Sequence, residues 1–294
     1  MSTAGALITR ASRHLLSGTV EERNKLAAAL DSSATSLTLT YDVGGFRTGS
    51  VLECESELMY VWESESTTKT LTVERGYAGT TAAAHSSSTV VTLNPRFPRA
   101  MMFDALNAEL DDLSSTMNGL FRVIATSISY NGSDRQLNVT SATSIIELME
   151  VRLRYLSDDF PVIRRVRLQR DLPTADFASG FAIVFDEPVM AGTLRVTYKS
   201  PFTRASTEAS DMQSVCFLPI TCEDIVEVGI ALRMMSAREI KRNFTESQSD
   251  TRRAEEVPPG AISNSVSQLT LLRRNRITAE AARLKAQYPQ QFRR

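Results

Sequence analysis

Side chains able to do covalent or acid–base chemistry are few in this sequence, and their spacing does not assemble a reaction. The 294 residues include two histidines, His14 and His85, and three cysteines, Cys54, Cys216 and Cys222. A Ser-His-Asp or Cys-His pair would need the fold to join residues that share no local motif. Cys216 and Cys222 lack zinc-knuckle spacing, and an odd number of cysteines argues against a disulfide framework. His85 reads as a hydrogen-bonding loop histidine rather than a metal ligand. The neighbouring carboxylates of Asp111-Asp112 and Asp158-Asp159 do not project to one point as a glycosidase acid pair must. Neither a phosphate-binding glycine loop nor a Gly-x-Ser-x-Gly elbow occurs. The expectation is a protein that is not an enzyme, with no cofactor and no metal.

The chemistry that the spacing does favour is recognition, and it lies between Pro219 and Arg294. Arg273, Arg274, Arg276, Arg283, Lys285, Arg293 and Arg294 stand against a single acid, Glu280. They decorate an expected helix from roughly Ile262 to Tyr288, with Ile262, Val266, Leu269 and Leu272 in one half. Ile277, Ala281, Leu284 and Tyr288 follow in the other, and Pro289 ends it. A basic amphipathic helix suits an arm that docks on a partner; a solvated helix packed on its own domain is the alternative. An earlier helix, Ile225 to about Phe244, carries Ile225, Val228, Leu232 and Met235 at helical spacing. Thr221 and Asp224 form its expected capping box. Polar residues 245–251 and Pro258-Pro259-Gly260 separate the two helices.

Stepping toward the N-terminus, the elements that must carry this arm are mostly strands. A hydrophobic content of 42% in a chain this long can bury a core, and a net charge of −1 gives no global attraction to nucleic acid or acidic membranes. No signal peptide or membrane span is legible, so a soluble protein made in a reducing cytoplasm is expected, and the glycosylation-like triplets at Asn131, Asn138 and Asn243 are chance matches. Val20–Leu30 reads as a short helix preceded by a mobile end. From Ser36 the period is two: Leu37–Tyr41, two strands within Val51–Trp62, Thr70–Val73 and Thr89–Leu93 suggest a small β-barrel or sandwich. Trp62 alternates with Tyr60 and is expected in its core.

A helix from Phe97 to Leu120, about 36 Å long at the usual rise, then places Phe103, Leu106, Leu110, Leu113, Met117 and Leu120 on a heptad seam. This stripe either packs copies of the chain around a ring or packs within the chain. Six more strands follow: 123–129, 136–139, 145–156, 162–168, 181–185 and 193–198. Asn131-Gly132 forms a hairpin turn between the first two, and the whole reads as a β-sandwich of jelly-roll or immunoglobulin type. Its Arg152, Arg154, Arg164, Arg165, Arg167 and Arg170 favour a solvated or salt-bridged face over a nucleic-acid platform. The fold class is therefore α+β, mainly β. The expected divisions are 1–35, an N-terminal segment with a short helix; 36–95, the barrel; 96–121, a linking helix; 122–205, the sandwich; and 206–294, a C-terminal helical module.

Two stretches carry a resemblance. Arg75-Gly-Tyr-Ala-Gly-Thr-Thr-Ala-Ala-Ala-His85 resembles a turn that recurs in structural proteins of tailed bacteriophages. Residues 227–242, together with Glu255–Gly260, Leu271–Ile277 and Glu280–Leu284, resemble the two helices of head-to-tail connector adaptor proteins of long-tailed, siphovirus-like phages. The resemblance implies a virion protein of the neck, made in the host cytoplasm, that forms a twelve-fold ring under the portal protein. It implies further partners in a stopper or other neck and tail proteins, and double-stranded DNA passing through the lumen without sequence-specific binding; no membrane is involved. Many adaptors are small helical proteins, so two β modules would be additions. On this reading Arg273, Arg274, Arg276, Ile277, Leu284, Tyr288 and Phe292 bind the portal, and the Phe103–Leu120 seam joins subunits. A tail or baseplate component with glycan-binding β modules is the alternative, and a nucleic-acid-binding protein relying on the arm is a third.

Overall fold

Three separate apolar cores form because the chain switches its hydrophobic period four times. The computed structural model describes residues 2–16, 21–139, 144–154, 161–246 and 261–288. The first core is helical. Helix α1 (Ala4–Leu15) is capped by Thr3, whose hydroxyl accepts from the Ala6 amide, and it buries Ala4, Leu7, Ile8 and Ala11. Helix α2 (Arg99–Leu113) buries Met102, Leu106, Leu110 and Leu113. Helices α3 (Glu223–Glu246) and α4 (Ala261–Gln287) add Ile225, Val226, Ile230, Ile277 and Leu284 to the same cluster. The start of α3 lies against the later part of α4, where Arg276 pairs with Asp224, so the two run antiparallel.

Between α1 and α2 the chain builds a curled six-stranded sheet. Its strands are β1 (Arg23–Lys25), β2 (Ser36–Thr38), β3 (Val51–Cys54), β4 (Glu57–Glu65), β5 (Thr70–Glu74) and β6 (Val90–Leu93), in the order β1-β6-β3-β4-β5-β2. The edges meet: Leu26 bridges Leu39, and the Ala27 and Thr40 amides donate to the carbonyls of Thr38 and Lys25. Closure of this kind removes open edges and encloses Leu26, Leu37, Leu52, Met59, Val61 and Leu71. The expected helix at 20–30 is thus overturned in its described part. Arg23–Lys25 pair with Thr92–Val90, and Leu26 and Leu30 fill the barrel; ladder bonds and burial outweigh the helix propensity of Leu, Ala and Glu. The helix of this region lies earlier, at α1, where a mobile end was expected.

Between α2 and α3 come β7 (Arg122–Tyr130), β8 (Gln136–Asn138), β9 (Glu147–Arg154), β10 (Val166–Gln169), β11 (Ala182–Phe185) and β12 (Gly192–Ser200). They form two three-stranded antiparallel sheets, β7-β12-β9 and β10-β11-β8, around Val139, Val151, Ile183, Phe185, Leu194 and Val196. Among the described residues this is neither a seven-strand immunoglobulin nor an eight-strand jelly-roll arrangement. The Asn131-Gly132 turn joins strands of different sheets rather than closing a hairpin. Glycine is required there: φ is +80°, and a Cβ would lie 2.7 Å from the Ala191 nitrogen. Among the described residues the chain is mixed α+β, with twelve strands and four α-helices. Both β modules are insertions in a four-helix unit, so α2 belongs to the helical core and does not merely link the modules.

Candidate interaction surfaces

The basic arm is held by its own chain before it can meet another. Ile277 and Leu284 are each 5% exposed within the helical core, and Ala281 and Tyr288 pack on its margin. The expectation that these apolar residues face a partner's groove is corrected: burial in the helical core, with α4 packed on α3, already uses them. Arg273 is likewise committed, pairing with Glu109 at 2.6 Å and with Asp112. Arg276 pairs with Asp224 at 2.7 Å and donates to the Thr221 carbonyl. The Thr221 hydroxyl donates to Glu280, which also accepts from Arg283, so Thr221 and Asp224 tie α3 to α4 instead of forming a capping box. Arg274 is exposed, as are the neighbouring Leu271 and Leu272. Phe292 lies outside the described residues.

Glu109 is the polar centre of the helical unit. It is 1% exposed and receives Arg273 from α4 and Arg233 from α3. Burial lifts its carboxyl above the ordinary range, and the two guanidiniums oppose that rise. Gly229 makes room for it, since a Cβ there would sit 2.2 Å from the Glu109 carboxyl carbon. The stripe expected to join subunits is also internal in most of its length. Leu106, Leu110, Leu113 and Leu120 are buried in the helical core and Phe103 is partly buried. Met117 alone of the six points out, at 94% exposure. The expected helix over Phe97–Leu120 is shorter, ending at Leu113, so the heptad spacing marked a buried stripe only that far. Met117 and Leu120 lie beyond the helix, and the stripe packs on α1 and α3 of the same chain.

A second constellation lies on the barrel, where the Arg75–His85 turn folds over the β3–β4 hairpin. Glu57, 2% exposed, receives Arg75 Nε and Nη2 at 2.7 and 2.8 Å. It also accepts from the Gly76 and Ala83 amides. His85 spans the hairpin, Nδ1 lying 2.7 Å from Glu55 and Nε2 2.8 Å from Glu57. Burial alone would raise the Glu57 carboxyl, but the bonds from Arg75, Ala83, His85 and Gly76 outweigh it and bring its pKa down to about 2. Arg75 further binds the carbonyls of Asp31, Ala34 and Ala83. The turn is therefore a lock, and left-handed Gly76 and Gly79 let the backbone make it.

Locking this turn brings Tyr77 to 5.4 Å from Tyr60, whose ring meets Trp62 edge-on at 4.8 Å. Trp62 is 55% exposed, which corrects its expected core position. Alternation continues through Val61, but the register shifts between Val61 and Glu63, and Tyr60 and Trp62 share the outer face. From Tyr77 the surface continues into a cleft of about 410 Å³ between barrel and helical unit. Its apolar floor includes Leu58, Met101 and Phe103, and Glu55, Asp104 and Glu208 supply carboxylates. Nothing local in the sequence ties Glu57 to Arg75; only the exposed aromatics had a legible signal, their position on one face of a strand.

The remaining reactive side chains are quiet. Burial pushes the Cys54 thiol up to about 12 and those of Cys216 and Cys222 up to about 11, so none is a thiolate at neutral pH. The arginines of the sandwich are partly paired in the chain: Arg152 with Glu150, Arg165 with Glu187 and Arg167 with Asp186. Among the described residues no group of three or more His, Cys, Asp or Glu is placed to hold a metal ion, and no helix is long and apolar enough to cross a membrane. No protein-family model matches the chain, and no curated protein matches it.

Proposed function

We propose that this chain is the subunit of a head-to-tail adaptor ring in a tailed phage virion. The observation that carries the reading is that α1–α4 share one core, with each β module inserted between two of them. Taking the insertions away leaves a small helical unit, and α3 and α4 are the two stretches that resemble adaptor helices. On this reading the ring sits under the portal, extends the DNA channel and meets a stopper or other neck protein on its far side. Portal docking uses the outward residues of α4, Leu271, Leu272 and Arg274, in place of the inward Ile277 and Leu284. A clustered apolar contact with a charge at its rim is the usual anatomy of such a joint. Measuring the mass of the purified chain alone and with portal protein tests this. A stoichiometric complex is expected, weakened by Leu272→Asp and made less salt-sensitive by Arg274→Glu. Absence of any complex across low and moderate salt would remove the adaptor reading. A glycan-binding tail component is the second reading, favoured by the exposed Trp62 and Tyr77 with the half-buried Tyr60 between them.

A further inference from the structure

Two features at opposite ends of α2 are complementary in shape and charge. The first is a knob beyond the end of the helix. In the loop before α3, Cys216 and Leu218 are buried, while Val215 and Phe217 are exposed. Phe217 is the one aromatic among the described residues with a positive φ, +59°. A bulky side chain takes the left-handed region only where its surroundings force it. Here the Cys216 and Leu218 amides donate to the Asp211 and Met212 carbonyls, and the Thr203 amide donates to the Cys216 carbonyl. The loop is thus fixed with an aromatic ring held out to solvent. The Arg122 guanidinium lies 4.1 Å from the centre of that ring. Its Nε is buried without an acceptor, and the half-buried group makes no ion pair with a described residue. Burial lowers its pKa and only Tyr198 opposes the fall, so no described carboxylate balances the charge.

The second feature is the cleft of about 410 Å³ at the start of α2, floored by Leu58, Met101 and Phe103. Its volume lies in the range that takes a ligand or a large side chain. Asp104 on its wall is exposed and has no partner among the described residues, whereas Glu55 and Glu208 are engaged by His85 and Arg99. The fold holds knob and cleft apart. Arg99 ties the start of α2 to Glu208 at the cleft. At the other end the Ser114 hydroxyl accepts from the Phe202 amide, next to the Thr203–Cys216 bond that anchors the knob. The 15 residues of α2 set the two features roughly 20 Å apart. We infer that Phe217 of one copy of this chain enters the cleft of a second copy, packing on Leu58, Met101 and Phe103, while Arg122 meets Asp104 there. Different surfaces on the two copies make the contact heterologous, the type that propagates head to tail and closes into a ring when the rotation allows. It supplies a subunit joint in place of the internal stripe of α2, and rests on the proposed adaptor ring only for its closure.

The test uses full-length chains. Sedimentation of wild type should show association that grows with concentration. Phe217→Gly suits the positive φ, so it should raise the urea midpoint while weakening association about 30-fold or more, as when a buried aromatic anchor is truncated. A cleft variant, Met101→Asp with Asp104→Arg, changes two exposed positions and should also lose association. Mixed together, the two variants offer one intact knob and one intact cleft, and should form a dimer and nothing larger. Phe217 replaced by its photoreactive benzoyl analogue should cross-link to the Met101–Phe103 segment of an isotope-labelled second chain, and to the cleft variant much less. Association that both variants lose and their mixture does not restore marks a symmetric contact and overturns the pairing. Equal sedimentation of all forms, with no cross-link to the Met101–Phe103 segment, overturns it as well. Portal binding is measured beside these. A portal complex without the cross-link leaves the adaptor reading and removes this contact; the cross-link without a portal complex does the reverse.

Discussion

Glu57 is the residue on which the barrel's turn depends, and its environment makes a pH prediction with a definite sign. Its pKa in the folded chain is about 2, below its ordinary value of 4.5. The folded state therefore holds its proton less tightly than the unfolded chain. The stabilisation is complete above pH 4.5 and is lost as pH falls from there through 2, with about 3 kcal/mol at stake by linkage. Glu57→Gln should lose most of this at pH 7, measured as a lower urea midpoint, and its stability should fall less on acidification than wild type's. Glu53 behaves in the opposite sense. Burial pushes its carboxyl up to about 7, although the Arg99 amide and charge pull against the rise. The folded chain then binds the proton more tightly, and stability declines as pH rises from 4.5 through 7. Glu53→Gln keeps an acceptor for the Arg99 amide at the start of α2 and removes the cost of burying charge. It should be near neutral at pH 5 and more stable than wild type at pH 8, read from paired urea curves.

Helices and strands were unequally legible in the sequence, and the reason is the range over which each is determined. Strands β3–β6 and all six of the sandwich announce themselves by local alternation, so their existence was readable. Strand β1 was not, because its three residues are extended only through pairing with β6, some sixty-odd positions away. In α1 the spacing of Ala4, Leu7, Ile8 and Ala11 behind the Thr3 cap is a readable signal carried by small residues. Periodicity in α2 and α4 said which face is buried and could not say against what, which is why an internal stripe was open to being read as a subunit seam. Ties such as Arg273 to Glu109 span 164 positions and leave no local trace. These helices yield two tests. Leu110→Ala should cost about 2–5 kcal/mol by cavity formation, and Leu110→Asp should prevent the helical unit from folding, visible as insolubility or loss of helical circular dichroism. Gly229→Ala should expel the Glu109 carboxylate and cost about 3–5 kcal/mol, as for breaking a buried pair. Combined with Glu109→Ala it should cost less than the sum of the two single changes, because both remove one shared contact.

Considered as a whole molecule, the chain carries two self-contained β cores on a helical unit whose parts lie far apart in sequence. Removing everything after Pro258 would strip Ile277 and Leu284 from that unit and leave Glu109 without Arg273. Such a truncation should keep strand-type circular dichroism while its helical part becomes sensitive to protease, and loss of portal binding by it would say nothing about the docking surface. Point changes at Leu272 and Arg274 are the cleaner probe. The nesting of the modules also fixes an order of events in time. As synthesis proceeds, the barrel and then the sandwich can each close on themselves when their last strands emerge. Helix α1 has no such opportunity: its neighbours are α2 and α3, and α3 follows it by on the order of 10–50 s at usual elongation rates. For that interval Leu7 and Ile8 are unsheltered, and the nascent chain has two finished ends of work around an open seam. A ribosome-stalled chain ending before Glu223 should therefore be captured by hydrophobic-binding chaperones through α1 and α2, and one in which Glu223–Glu246 has fully emerged should be released.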